Sequence, residues 1–213
     1  MALRSSNIGN TTICIAVTGA AAAGKSFIAI NLAAATAMQM KNVLLVDVND
    51  FPGSSSEQLG IPPDAGLELP FGRLTRNLCG IDVLRLIKPA VHSEKETRTT
   101  VKAFMQLFSG YNAIFIDCRN RFKQLQNAFI SIAPKIVMVT NDDPEKIKRI
   151  YALTKSLTME HIPSNISLVV NRINDESKGE AVVSTLDAAA VKFLGRRYEL
   201  LTVIPETVFS FNP

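Results

Sequence analysis

No stretch of the 213 residues is apolar for long enough to cross a bilayer, which excludes a membrane-spanning helix. Met1 to Thr12 has no long apolar core, so no secretory signal is expected and the chain is expected in the cytoplasm. Cysteine is scarce: Cys14, Cys79 and Cys118 are scattered without metal-site spacing. Cys14 and Cys118 fall inside apolar runs and read as small core hydrophobes in a reducing compartment. There are two histidines, and Lys and Arg are dispersed, so a net charge of +4 and a pI near 9.0 favour acidic partners without forming one strong patch. Internal repeats, low-complexity tracts and linkers are also missing. One domain covering residues 1–213 is therefore expected, long enough to bury a substantial core.

What is present is a rhythm. Short apolar runs occur at Thr12–Thr18, Val43–Asp47, Ile81–Leu86, Ala113–Asp117, Lys135–Thr140, Ile166–Val170 and Leu200–Ile204, mostly separated by helix-length segments. That alternation marks a parallel sheet built from βαβ units, and a hydrophobic fraction of 47% suits a sheet covered on both faces. Asp142-Asp143-Pro144-Glu145 supplies a capping Asp, Pro at the first helical position and acid in the first turn, leading into a helix from Lys146 to Leu157. Those two aspartates read as caps rather than ligands. Pro52 to Leu78, with Pro52-Gly53-Ser54-Ser55-Ser56 and Pro62-Pro63, is the least regular section and is expected to be the most mobile.

The densest chemistry lies in Gly19-Ala20-Ala21-Ala22-Ala23-Gly24-Lys25-Ser26, which satisfies the phosphate-loop pattern G-x-x-x-x-G-K-[ST]. Two glycines let the backbone turn tightly and bring N–H groups onto phosphate oxygens. Lys25 places a compact positive charge near the β- and γ-phosphates, and the Ser26 hydroxyl is a ligand for Mg²⁺. The β-branched run before the loop reads as a buried strand. Phe27 to Met40, rich in Ala, Leu, Ile and Met without Gly or Pro, reads as a helix whose N-terminus favours anions. Strand, glycine loop and helix form the context the motif requires, and they predict nucleotide binding.

Two strand-end acids extend the pattern. Val43-Leu44-Leu45-Val46-Asp47 ends in an acid at the carboxyl end of a strand, where ligands bind in open α/β sheets. Tyr111 to Asp117 has the form of a Walker B strand, whose Asp holds Mg²⁺ opposite the loop hydroxyl. A strand-terminal Asp also serves as a turn former, the alternative reading for both Asp47 and Asp117.

These segments, with Val169-Val170-Asn171-Arg172 and Ile204-Pro205, occur in the order seen in MinD/ParA-type ATPases, which the chain resembles over nearly its whole length. Gly179-Glu180, Lys192 to Gly195 and Ile204-Pro205 look most like the FlhG flagellar-regulator branch. The resemblance implies an α/β domain with a mostly parallel seven-stranded sheet, helices on both faces, and an ATP·Mg²⁺ site between facing protomers. It implies that Asn171 reads the adenine edge and that Pro205 opens a loop completing the base pocket. The nucleotide-contact set it implies is Gly19, Ala20, Ala21, Ala22, Ala23, Gly24, Lys25, Ser26, Phe27, Asn171, Arg172 and Pro205. The implied metal set is Ser26, Asp47 and Asp117, and the implied catalytic set is Lys25, Asn49 and Asp50.

Three departures qualify that picture. Relatives carry a second lysine after the first loop glycine, reaching the partner's phosphates; here that residue is Ala20, and Ala21 and Ala22 stand where glycines are usual. The hydrolytic acid of the family corresponds to Asn49, which orients a water but does not accept its proton, unless the adjacent Asp50 substitutes. MinD and FlhG relatives continue into an amphipathic membrane-targeting helix, and the eight residues after Pro205 leave no room for one. The expectation is an ATP- and ADP-binding switch of a flagellar, pilus, secretion or partition system. It is expected to hydrolyse slowly, as a homodimer with a protein partner. A non-hydrolysing scaffold of the same fold is the alternative. A dethiobiotin-synthetase-like enzyme would need further basic residues near the loop, and the alanine run supplies none. ParA relatives bind DNA through dispersed basic residues; Lys146, Lys148, Arg149, Lys155, Arg196 and Arg197 are the candidates here, and they read first as a solvated surface.

Overall fold

The computed structural model describes residues 12–48, 53–69, 72–78, 80–86, 94–118, 123–162 and 165–206. Its first elements are β1 (Ile13–Gly19), α1 (Lys25–Ala37), β2 (Val43–Asp47), α2 (Ser55–Gln58), β3 (Leu67–Leu69), β4 (Gly72–Leu78) and β5 (Ile81–Leu86). They are followed by α3 (Glu94–Leu107), β6 (Ala113–Asp117), α4 (Lys123–Ile132), β7 (Lys135–Thr140), α5 (Pro144–Met159), β8 (Asn165–Ile173), α6 (Glu176–Leu194) and β9 (Tyr198–Pro205). All seven apolar runs are strands. The expected count of seven becomes nine among the described residues through β3 and β4, which lie in the section expected to be irregular. Neither carries an apolar run: β3 is three residues long and mostly exposed, and β4 has Leu74 and Leu78 separated by Thr75, Arg76 and Asn77.

The elements fall into two compact units, one comprising residues up to Thr18 and Lys25–Ile136, the other Gly19–Gly24 and Val137 onward. In the first unit the strand order is β3-β4-β5-β2-β6-β1. The pairs β1/β6, β2/β6 and β2/β5 are parallel, whereas β3/β4 and β4/β5 are antiparallel. Every residue of β2 and β6 is buried, as expected of strands covered on both faces. Phe104 of α3 meets Phe129 of α4 edge to face at 5.0 Å, both fully buried. Cys14 and Cys118 are buried free thiols, and burial pushes the Cys14 thiol up to about 12, which leaves it inert at neutral pH.

In the second unit β8 and β9 pair in parallel. The helix legible in sequence is α5: Asp143 is its N-cap, accepting from the Glu145 backbone N–H at 2.9 Å, and Pro144 is its first residue. Helix α6 ends on Gly195 at φ +62°, a left-handed cap that glycine adopts without strain. Near its start, α6 lies so close to β9 that a Cβ on Gly179 would stand 2.7 Å from Val203 Cγ2. Gly179→Ala is therefore expected to destabilise by about 1–2 kcal/mol in urea unfolding, since overpacking outweighs the helix-propensity gain. The same substitution in a Val203→Ala background should be neutral or stabilising.

Candidate nucleotide and metal site

The phosphate loop is held by backbone that leaves no room for a side chain at its first glycine. Gly19 lies at φ +137°, where a Cβ would sit 2.2 Å from the Val139 carbonyl oxygen, and the Ala20 N–H donates to that oxygen at 3.0 Å. The second glycine is constrained chiefly by conformation: Gly24 lies at φ +94°, and a Cβ there would stand 2.5 Å from the side-chain amide Nδ2 of Asn171. Between them, Ala20 and Ala23 are buried, Ala21 and Ala22 are exposed, and Ala22 sits at φ +53°. The loop thus holds an alanine in a left-handed conformation, at a cost of about 1 kcal/mol. Ala22→Gly should recover roughly 0.5–1 kcal/mol of stability, read from the urea midpoint. An unchanged midpoint would show that the strain is relieved elsewhere.

Asn171, at the end of β8, is 5% exposed and donates its side-chain N–H to the Ala23 carbonyl at 2.8 Å. A β-bulge at this point sets Arg172 in the left-handed region at φ +60° with an exposed side chain, and Pro205 pairs in register with Ile173. The strut from Asn171 to the loop was not legible in sequence, because its two ends are far apart along the chain.

In the first unit the charged half of the motif sits at the start of α1. Lys25 and Ser26 are 7% and 6% exposed, whereas the neighbouring Phe27 is 55% exposed. Asp47 and Asp117 are fully buried and are direct partners in the parallel β2/β6 register, so their side chains share one face of the sheet. Asp117 accepts from Ser55 Oγ at 2.5 Å, and Asp47 accepts from the Ser56 backbone N–H at 2.8 Å. Burial raises the Asp117 carboxyl above its ordinary range and Asp47 adds to that rise, while hydrogen bonds from Ser26 and Ser55 and the Lys25 charge oppose it. The expected catalytic positions Asn49 and Asp50 lie outside the described residues.

The donor chemistry fits Mg²⁺. Ser26 and two carboxylates are hard oxygen ligands, and this ion commonly takes one or two protein carboxylates together with phosphate and water. The described residues include no cluster of three or more His, Cys, Asp or Glu, so a self-sufficient protein cage of that kind is absent among them. Of the basic residues considered for nucleic acid, several bind within the chain. Lys148 pairs with Glu145 at 2.6 Å, Lys146 with Asp143 at 3.9 Å and Arg197 with Asp187 at 3.6 Å, while Arg196 donates to the Ile162 carbonyl at 2.5 Å.

A family model described as the CobQ/CobB/MinD/ParA nucleotide binding domain matches residues 14–210. The chain belongs to this family. It is 25% identical to the antiactivator FleN of Pseudomonas aeruginosa over 203 residues, covering 90% of this chain and 72% of FleN. The MinD cell division protein of Aquifex aeolicus superposes with a TM-score of 0.68 at 20% identity, covering 92% of this chain and 82% of MinD. MinD of Pyrococcus horikoshii complexed with Mg-ADP superposes at 0.66 with 19% identity, again covering 92% and 82%. These structural likenesses agree in fold with the MinD/ParA resemblance read from sequence. No helix among the described residues is long and apolar enough to cross a membrane.

The raised Asp117 carboxyl gives this family member a pH signature. A carboxyl held above its unfolded value binds its proton more tightly in the folded state, so it costs stability as pH rises through the interval between the two values. Asp117→Asn should therefore raise the melting temperature of the nucleotide-free protein at pH 7, and the gain should shrink in acid. A gain that grows in acid would reverse the sign and contradict the burial argument.

Proposed function

We propose that this chain is an ATP-binding switch of the MinD/ParA kind, acting in a system that positions a cellular structure, with slow or partner-dependent hydrolysis. The observation that carries this reading is the burial of Lys25 and Ser26 at the start of α1 in a unit that also holds two buried, register-paired acids, Asp47 and Asp117. Buried charges are retained where they are paired or hold a ligand. In this reading the amides of residues 19–24, together with Lys25, take the phosphates. Ser26, Asp47 and Asp117 hold Mg²⁺, which when bound neutralises phosphate charge.

Asn171 donates one N–H to Ala23, and we assign its second N–H and its carbonyl oxygen to the adenine edge. Arg172 and Pro205 border the base. A second copy of the chain and a protein partner complete the switch, an assignment supported by the fold shared with the Aquifex MinC:MinD complex. The second reading, a scaffold of the same fold that does not hydrolyse ATP, is favoured by the strained Ala22 and by alanine at position 20.

Calorimetry with Mg²⁺ should detect both ATP and ADP. Lys25→Ala should abolish the heat, and Asn171→Ala should weaken ATP and narrow its advantage over GTP. Absence of heat with either nucleotide, on folded wild-type protein, ends the proposal. Turnover should be very slow, since losing a transition-state cation commonly costs ~10³-fold or more. Brisk wild-type hydrolysis would mean that Asp50 or another group replaces the missing lysine and carboxylate.

A further inference from the structure

One row of polar side chains crosses four strands of the first unit and grips the segment that sequence reading expected to be most mobile. Arg73, Arg85, Asp47 and Asp117 are successive register partners on β4, β5, β2 and β6. Directly paired strand residues project to the same face, so the four form a continuous line. Each bonds to the chain between residues 55 and 64. Asp117 accepts from Ser55 Oγ at 2.5 Å and Asp47 from the Ser56 N–H at 2.8 Å. Arg85 Nη2 donates to the Ile61 carbonyl at 3.1 Å, and Arg73 Nη1 to the Asp64 carbonyl at 2.9 Å.

Ser54 caps α2 and fixes the turn that presents Ser55 and Ser56 to the two acids. The neighbouring hydroxyls differ in their bonds. Ser55 Oγ is spent on Asp117, whereas Ser56 Oγ is buried and finds no hydrogen-bond partner among the described residues.

We propose that Ser55 is a positioning residue for the metal half of the site. Its hydroxyl fixes Asp117 Oδ2 and so aims the carboxylate beside Ser26, and the same bond ties the segment 55–64 to the state of that carboxylate. The inference rests on the nucleotide-binding reading above. Residues that orient a metal-binding carboxylate commonly alter metal affinity 10- to 100-fold when removed.

The test compares Ser55→Ala with Ser56→Ala, an identical chemical change one residue along. ADP affinity is measured by calorimetry in Mg²⁺ and in EDTA. Amide hydrogen exchange is measured without nucleotide at Gln58, Leu59 and Ile61, whose N–H groups bond to carbonyls of Ser54, Ser55 and Ser56. Ser55→Ala should cut the Mg²⁺-dependent gain in ADP affinity about tenfold and leave affinity in EDTA within about twofold. It should also speed exchange at those amides about fivefold or more. Ser56→Ala should match wild type in both. Equal loss of affinity with and without Mg²⁺, or exchange no faster than in Ser56→Ala, overturns the proposal. Wild-type protein that binds no ADP defeats the nucleotide reading and the aiming role with it. The exchange comparison then decides whether Ser55 ties the segment.

Discussion

Burying two carboxylates side by side, away from bulk solvent, is the constraint around which the first unit is organised. Asp47 and Asp117 are fully buried on neighbouring strands, which lie about 4.8 Å apart in a sheet. Buried like charges at such a separation repel and are poorly solvated, and the raised Asp117 carboxyl records that cost. Lys25, Ser26, Ser55 and the Ser56 amide are the groups that offset it. Three chain segments must therefore converge on the carboxyl ends of β2 and β6: the start of α1, the strands themselves and the turn into α2. A fold assembled for stability alone gains little from such a cluster, because apolar residues of similar volume often serve as well or better. A buried cluster of this kind suits the proposed binding of a charged ligand.

The phosphate loop shows a second kind of constraint. Gly19 is required by contact as much as by conformation, since a Cβ there would strike the Val139 backbone, and Gly24 chiefly by conformation, a Cβ there meeting the Asn171 side chain. Ala22 is required by neither, yet it holds a backbone conformation that glycine adopts more cheaply. Glycine stands at the two positions where a Cβ would meet other atoms, and alanine at one where the backbone conformation costs only strain. This distinction separates the two glycines from the four consecutive alanines between them.

Membership of the CobQ/CobB/MinD/ParA family sets the frame, and the departures from it set the individual chemistry. In the proposed function Lys25, Ser26, Asp47 and Asp117 supply the groups for phosphate and metal. At positions 20 and 49, where the MinD/ParA resemblance implies a lysine and a carboxylate, the chain has Ala20 and Asn49. Binding and turnover thus make separate demands on the sequence. Binding needs fixed charge and open amides, while turnover needs charge placed where it develops in the transition state.

Sequence alone determined the seven principal strands, the glycine loop leading into α1, the Asp143-Pro144 start of α5 and the two strand-end acids. Each is encoded locally, by apolar runs, by backbone-permissive residues or by caps within a few positions of what they cap. The hairpin β3–β4 escaped notice because an exposed edge carries no apolar run. The roles of Ser55, Ser56, Arg73 and Arg85 also escaped, since a serine-rich stretch between prolines reads only as a turn. Their partners lie on other strands, and parallel register rather than sequence spacing aligns Asp47 with Arg85 and Asp117. The same holds for Asn171, whose bond to Ala23 spans most of the chain. The sequence by itself named the groups to which the proposed chemistry is assigned. Only the tertiary structure decided which groups hold them in place, because pairing register and close backbone approach are properties of segments brought together by folding.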